Sequence, residues 1–110
     1  MAFPDDNEYT FRVRSSVKQD GRLLKLASKT FEGNARLRSD ANRLIERIRK
    51  GNLDPGIGTK NIFGDILEAR SRSGARVYFR RIGGTIQVVT YSNKSNQRQV
   101  ISRLRRIYGH

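Results

Sequence analysis

One carboxylate in this sequence, Glu68, lies among arginines and tyrosines that together can act on a phosphate group. A carboxylate can accept a proton from a hydroxyl, a guanidinium neutralises charge on phosphate oxygens, and a phenol donates a proton or stacks on a ring. The candidate catalytic residues are Glu68, Arg76, Tyr91 and Lys94, and the candidate binding residues are Lys60, Arg70, Tyr78, Arg80, Ser92 and Gln97. These groups can cooperate only if the fold brings them together.

A hairpin must align most of these residues. In the stretch "SGARVYFRRIGGTIQVVTYSNKSNQ", Gly83-Gly84 predicts a two-residue turn between two strands. Counting outward from that turn places Val77 opposite Thr90 and Arg76 opposite Tyr91. The residues that then share one face are Arg76, Tyr78, Arg80, Gln87, Val89 and Tyr91.

A third strand is predicted upstream, in "FGDILEARS", and "RSG" would join it to the hairpin. A three-residue loop ending in glycine is a common hairpin connection. Leu67 and Ala69 then fall on the apolar face of the sheet. Glu68 and Arg70 fall on the other face, beside the polar residues of the hairpin, so three strands converge on one polar cluster.

The elements around these strands set the fold class. Three segments have the apolar spacing of amphipathic helices: "DGRLLKLASKTF", "NARLRSDANRLIERIRKGN" and "SNQRQVISRLRRIYG", the last with Ser95 or Asn96 as its N-cap. "YTFRVRSSV" predicts an edge strand, and "GNLDPGIGTK" predicts a Gly/Pro loop that carries Lys60. We therefore expect an α+β domain: a small antiparallel β-sheet with helices packed on one face and a basic, aromatic face left exposed.

Charge restricts the partner class. The 110 residues carry twenty-three Lys and Arg against ten Asp and Glu, for a formal net charge of +13 and a pI near 11.2. Such a field attracts polyanions, and the excess of arginine, seventeen against six lysines, suits phosphates, so nucleic acid is the leading class. Five arginines line the polar side of the second helix and are interpreted as a solvated face. They are Arg36, Arg38, Arg43, Arg47 and Arg49.

Composition also excludes several classes of function. The chain has no cysteine and one histidine, so disulfide, thiolate and zinc chemistry are excluded and no metal or other cofactor is expected. We see no lipidation signal and no long apolar run, and expect no stable membrane association. The length predicts a single domain over residues 1 to 110, in which residues 1 to 8 fray.

The run from Ile66 to Leu104 resembles the RelE/ParE-type toxin superfamily, which shares the barnase/colicin/RelE-like ribonuclease fold. The resemblance rests on Glu68-Ala69-Arg70, on Gly74-Ala75-Arg76-Val77-Tyr78, on the polar turn from Ser92 to Gln97, and on the helix that follows. The N-terminal extension and the "NLDPGIGTK" loop resemble toxin domains at the C-termini of contact-dependent inhibition effectors.

This resemblance implies a metal-independent endoribonuclease that blocks translation by cleaving tRNA or translated mRNA. It also implies an acidic antitoxin or immunity protein as partner. The site of action would be the cytoplasm, reached by a stand-alone toxin or by a domain delivered from outside within a larger secreted effector.

Cleavage through the 2′-OH needs a base, cations around the phosphorane and an acid for the leaving 5′ oxygen. Glu68 is assigned as the base, against the alternative of a structural ion pair with Arg70 or Arg76. Arg76 is assigned as the phosphate clamp, and His110 is a further candidate only if the cluster fails. Two other functions stay open: a gyrase inhibitor on the same fold and a plain RNA-binding module.

Overall fold

The structure is a computed structural model that describes residues 9–17 and 20–109; residues 1 to 8, predicted to fray, and His110 lie outside these residues. Its strands are β1 (Arg12–Ser15), β2 (Thr59–Phe63), β3 (Ile66–Arg70), β4 (Arg76–Ile82) and β5 (Thr85–Ser92). Its helices are α1 (Gly21–Thr30), α2 (Ala35–Arg49) and α3 (Gln97–Tyr108). The predicted α+β class is confirmed.

The strands form one sheet in the order β1-β5-β4-β3-β2. The pairings of β2, β3, β4 and β5 are antiparallel as expected, but β1 runs parallel to β5, so the sheet is mixed. A parallel neighbour requires a crossover connection, and the chain between β1 and β5 includes α1 and α2. β2 begins at Thr59, so Lys60 lies on an edge strand opposite Glu68 rather than in a loop.

Helix ends follow local side-chain chemistry. Asp20 accepts a hydrogen bond from the Leu23 amide at 2.8 Å, which caps α1, and Asn34 accepts from the Leu37 amide at 3.1 Å, which caps α2. Asn96 precedes α3 but makes no side-chain cap bond. Its side chain accepts from the Asn93 amide at 2.9 Å instead, which orders the turn between β5 and α3.

The helices cover both faces of the sheet. Val77 and Phe79 of β4 point toward α2, while Tyr78 between them packs with α1 and α3. The core on the α2 side contains Leu37, Ala41, Leu44, Ile48, Val77, Phe79, Ile86 and Val88, and the core on the other side contains Leu23, Ile66, Tyr78, Val89, Val100 and Leu104. The expectation of helices on one face and an exposed polar face is therefore corrected. Each sheet face carries enough apolar side chains to bind a helix.

A β-bulge changes the register of the central hairpin. The two-residue turn pairs Ile82 with Thr85, and the predicted pairing holds as far as Phe79 and Val88. The register then shifts, and Tyr78 pairs with Thr90, which leaves an extra residue on β5. Beyond the bulge Arg76 faces Ser92 and Val77 faces Tyr91, so the predicted pairing of Arg76 with Tyr91 is wrong. Tyr91 lies on the α2 side, and Ser92 takes its predicted place.

Candidate functional site

Six of the candidate residues meet at one end of the sheet. β3 contributes Glu68 and Arg70, β4 contributes Arg76 and Tyr78, β5 contributes Ser92, and the first turn of α3 contributes Gln97. We call this set the Glu68 cluster. The hairpin loop behaves as predicted, since the Ser71 amide donates to the Ala75 carbonyl at 2.9 Å and brings the ends of β3 and β4 together.

Two neutral groups donate to the Glu68 carboxylate. The Tyr78 hydroxyl donates to Oε2 at 2.6 Å, and the Gln97 amide Nε2 donates to the same oxygen at 3.0 Å. The Tyr78 oxygen also lies 2.8 Å from Ser92 Oγ. Because a tyrosine has one hydroxyl proton and gives it to the carboxylate, Ser92 is the donor in that contact. The hydrogen bonds therefore run in one direction, from Ser92 through Tyr78 to Glu68.

Two guanidinium groups flank the same carboxylate. Arg70 Nε lies 3.8 Å from Oε1, and Arg76 Nε lies 3.8 Å from Oε2. Both distances are ion-pair contacts rather than hydrogen bonds, and Oε1 accepts no hydrogen bond from the described residues. Arg76 is held elsewhere, because its Nη1 donates to the Gly74 carbonyl at 3.0 Å. The cluster thus holds a carboxylate oxygen with unused acceptor capacity next to two cations.

The Tyr78 hydroxyl stays protonated at neutral pH. Burial raises the pKa of this phenol far above its usual range, and its hydrogen bond to Glu68 raises the pKa further because a phenolate would face a carboxylate. Tyr78 therefore serves as a donor that orients Glu68, not as a proton acceptor.

Access to the cluster comes from its arginine side. Glu68, Tyr78 and Ser92 are fully buried, whereas about a third of the Arg70 side chain is exposed, at 34%. Lys94 is exposed and lies beside Gly74, where an added Cβ would come within 3.3 Å of the lysine Cγ. The sequence predicts only a turn at Gly74. Gly74 has a positive φ of 99°, which favours glycine, its missing Cβ leaves room for Lys94, and its carbonyl holds Arg76.

Three other candidates lie outside the cluster. Tyr91 packs against Phe31 with the two rings tilted and their centroids 5.3 Å apart, and burial raises the pKa of its phenol. The Arg80 guanidinium donates to Gln87 at 2.6 Å and lies over the Tyr108 ring, so it is already held within the protein. Lys60 is exposed at the sheet edge, on the face of the cluster.

Comparisons with family models, with curated proteins and with solved structures found no match for this chain. Within residues 9–17 and 20–109, no group of three or more histidine, cysteine or acidic side chains is arranged to hold a metal ion. No helix in the same ranges is both long and apolar enough to cross a membrane. The resemblance to RelE/ParE-type toxins accordingly stays a prediction from the sequence.

Proposed function

We propose that this chain is a RelE/ParE-type toxin that cleaves tRNA or translated mRNA without a metal ion. The observation that carries the proposal is the Glu68 carboxylate, which is buried beside two guanidiniums and oriented by a tyrosine hydroxyl in a chain of net charge +13. Phosphodiester cleavage through the 2′-OH requires a base, cations and an acid, for which the candidates are Glu68, the two arginines and Lys94, and the positive field attracts the polyanion.

In the proposed reaction the RNA phosphate moves the Arg70 side chain away from Glu68. The phosphate is then held between Arg70 and Arg76. This displacement breaks only an ion contact, since Arg70 Nε makes no hydrogen bond to the described residues. Glu68 Oε1 takes the proton of the 2′-OH, and O2′ attacks the phosphorus. The bond from phosphorus to O5′ breaks, and Lys94 protonates the leaving oxygen. The products are a 2′,3′-cyclic phosphate and a 5′-OH.

A nuclease of this kind acts in the cytoplasm, whether made there or delivered within a larger effector, and its producer needs an inhibitor. We propose an acidic antitoxin or immunity protein that covers the exposed edge of the Glu68 cluster. Opposed charges would make its association fast at low salt. A crosslinker at Lys94 should capture this inhibitor, while capture only from α2 would place the inhibitor away from the cluster.

Cleavage of purified RNA in EDTA tests the enzyme directly. The parent protein should give discrete fragments with cyclic phosphate and 5′-OH ends. Glu68→Gln should lower the rate about 100-fold or more, because general base catalysis contributes roughly 10² to 10⁴. Glu32→Gln is the matched control, since that carboxylate is exposed and makes no ion pair within the described residues. Cleavage by Glu68→Gln at the parent rate would show that Glu68 is not the base.

One observation favours a plain RNA-binding module as the second candidate. Glu68 and Tyr78 are both fully buried, as they would be in a purely structural ion-pair network. In that case the protein binds RNA but the RNA stays intact in EDTA. Glu68→Gln then lowers the melting temperature of the protein, and neither the parent nor the variant cleaves RNA. RNA integrity and thermal melting of the same two variants separate the candidates.

A further inference from the structure

A groove of about 450 Å³ lies on the α2 side of the sheet, opposite the face of the Glu68 cluster. α2 forms one wall, and the β3–β4 loop and the segment around Gly56 and Ile57 form the rest. Four arginines line it: Arg36, Arg43 and Arg47 from α2 and Arg72 from the loop. We call this feature the α2 groove.

Hydrogen bonds hold the walls of the α2 groove in place. Ser73 Oγ donates to Asp40 Oδ2 at 2.5 Å, which ties the β3–β4 loop to α2. Ser71 Oγ lies 2.8 Å from Ser73 Oγ and accepts from the Ala75 amide at 3.1 Å. The loop that carries one arginine is therefore fixed against the helix that carries the other three.

The opposite wall is equally constrained. The Ile57 amide donates to the Arg70 carbonyl at 2.9 Å, so this segment is bonded to the end of β3. Gly56 has a φ of 67°, and a Cβ there would lie 2.1 Å from the Arg70 oxygen. Only glycine permits this approach. The groove thus has a preformed shape, which lowers the entropy lost when a ligand binds.

The α2 groove is strongly positive, because four arginines and one carboxylate, Asp40, line it. None of its four arginines makes an ion pair with a carboxylate of residues 9–17 or 20–109, and the Asp40 carboxylate is engaged by Ser73. Guanidiniums from two separate elements that face one depression repel each other, and an anion between them removes that repulsion. A solvated helix face, the interpretation made from the sequence, does not account for the arginine contributed by the loop.

The dimensions favour a phosphodiester chain. Arg36 and Arg47 are eleven residues apart, which places them about 16 Å apart along the helix axis, so they would contact different phosphates of one strand. Ile57 is 52% exposed and offers an apolar contact to a ribose or base. The Ile57 wall of the groove is bonded to the Arg70 carbonyl at the end of β3, and the Arg70 side chain lies beside Glu68 on the other face of the sheet. RNA bound in the groove would pass around this end of the sheet to reach the Glu68 cluster.

We infer that the α2 groove binds the sugar–phosphate backbone of the RNA substrate at a distance from the bond that is cut. The inference rests on the proposed function for the identity of the substrate. It assigns the α2 arginines to substrate binding and not to chemistry.

Binding of a 2′-O-methyl oligoribonucleotide tests the α2 groove, because such a strand cannot be cleaved through a 2′-OH. The triple variant Arg36→Gln/Arg43→Gln/Arg47→Gln should bind it about 10- to 100-fold more weakly near 100 mM salt, and the slope of log K against log salt should fall by about 2. The matched control is Arg22→Gln/Arg98→Gln/Arg106→Gln, three exposed arginines of the α1–α3 side that also lack ion pairs to described residues. It loses the same charge and should weaken binding less than about 3-fold.

Equal losses in the two triple variants would overturn the inference, since they would mean that only overall charge matters. It is also overturned if the groove variant keeps its RNA affinity but loses binding of polyglutamate, which would assign the groove to an acidic protein. Cleavage assays separate this inference from the nuclease proposal. If the parent protein never cleaves RNA while the groove variant alone loses oligonucleotide binding, the nuclease proposal fails and the groove assignment stands.

Discussion

The two faces of the sheet bury their residues by different means. Under α2, Val77, Phe79 and Ile86 pack against helix side chains, and Tyr91 joins them through its ring. On the other face, Glu68 and Tyr78 are equally buried but depend on hydrogen bonds and ion contacts. Apolar burial stabilises the first face and requires no hydrogen-bond or ion-pair partners. The second face has an apolar core as well, but its polar cluster is stable only while each polar group keeps its partners.

This difference points to where function is expected. A buried ion pair is a weak source of stability, because desolvation offsets most of the attraction between the charges. Glu68 Oε1 is buried and accepts no hydrogen bond from the described residues. An apolar residue at this position would have no polar atom to satisfy. Apolar packing, as under α2, would stabilise this face without a buried carboxylate. The Glu68 cluster is therefore the region in which we look for chemistry.

The largest effect is expected from the apolar face. Phe79→Ala should lower the free energy of unfolding by about 3 to 5 kcal/mol, because it removes a fully buried ring and leaves a cavity. Urea denaturation measures the loss. Ile82→Ala on the same strand is the control, since Ile82 is 48% exposed and should lose less than about 1 kcal/mol. Similar losses in both variants would contradict the burial of Phe79 in the core under α2.

Arg76→Ala should lower the RNA cleavage rate about 100- to 1000-fold, because the guanidinium is expected to stabilise charge that grows in the transition state. RNA affinity should change much less. Arg12→Ala, which removes an exposed arginine of β1, should leave the turnover unchanged. Single-turnover kinetics and a melting curve of each variant are the measurements. A folded Arg76→Ala protein that cleaves at the parent rate would place the active site elsewhere.

Tyr78→Phe should lower the free energy of unfolding by about 1 to 3 kcal/mol, since it removes a donor from Glu68 and leaves Ser92 without its acceptor. Tyr91→Phe is the comparison across the sheet. Its hydroxyl makes no hydrogen bond within residues 9–17 and 20–109, so stability and cleavage should both stay close to the parent values. A loss of cleavage in Tyr91→Phe alone would assign Tyr91 the catalytic role expected from the sequence.

The smallest effect concerns the acid stability of the helices that cover the polar face. Arg103 holds the pKa of Asp20 at about 2, below its usual 3.8, through a hydrogen bond and through charge. Because the folded pKa is the lower one, the stabilisation is present above pH 3.8 and is lost as the pH falls toward 2. Asp20→Asn keeps a capping oxygen but removes the ion pair. The difference in melting temperature between parent and variant should narrow from pH 4 to pH 2, and a constant difference would contradict this account.

Local rules predicted most of the hairpin. Gly83-Gly84 formed the expected two-residue turn, and strand alternation placed Glu68 beside Tyr78. The bulge in β5 was not predictable in this way, because "VV" at positions 88 and 89 fits either face of a strand. One extra residue then moved Tyr91 away from the cluster and brought Ser92 into it.

The sequence by itself determined the α+β class, the main helices and strands, and the strong positive charge, because periodicity, turn residues and composition are local or additive properties. Only the tertiary structure decided which face of the sheet each helix covers. An amphipathic stripe specifies that a helix must be buried but not against what. The tertiary structure likewise decided that Arg72 faces the arginines of α2 and that Glu68 is enclosed, since both depend on contacts between residues far apart in the chain.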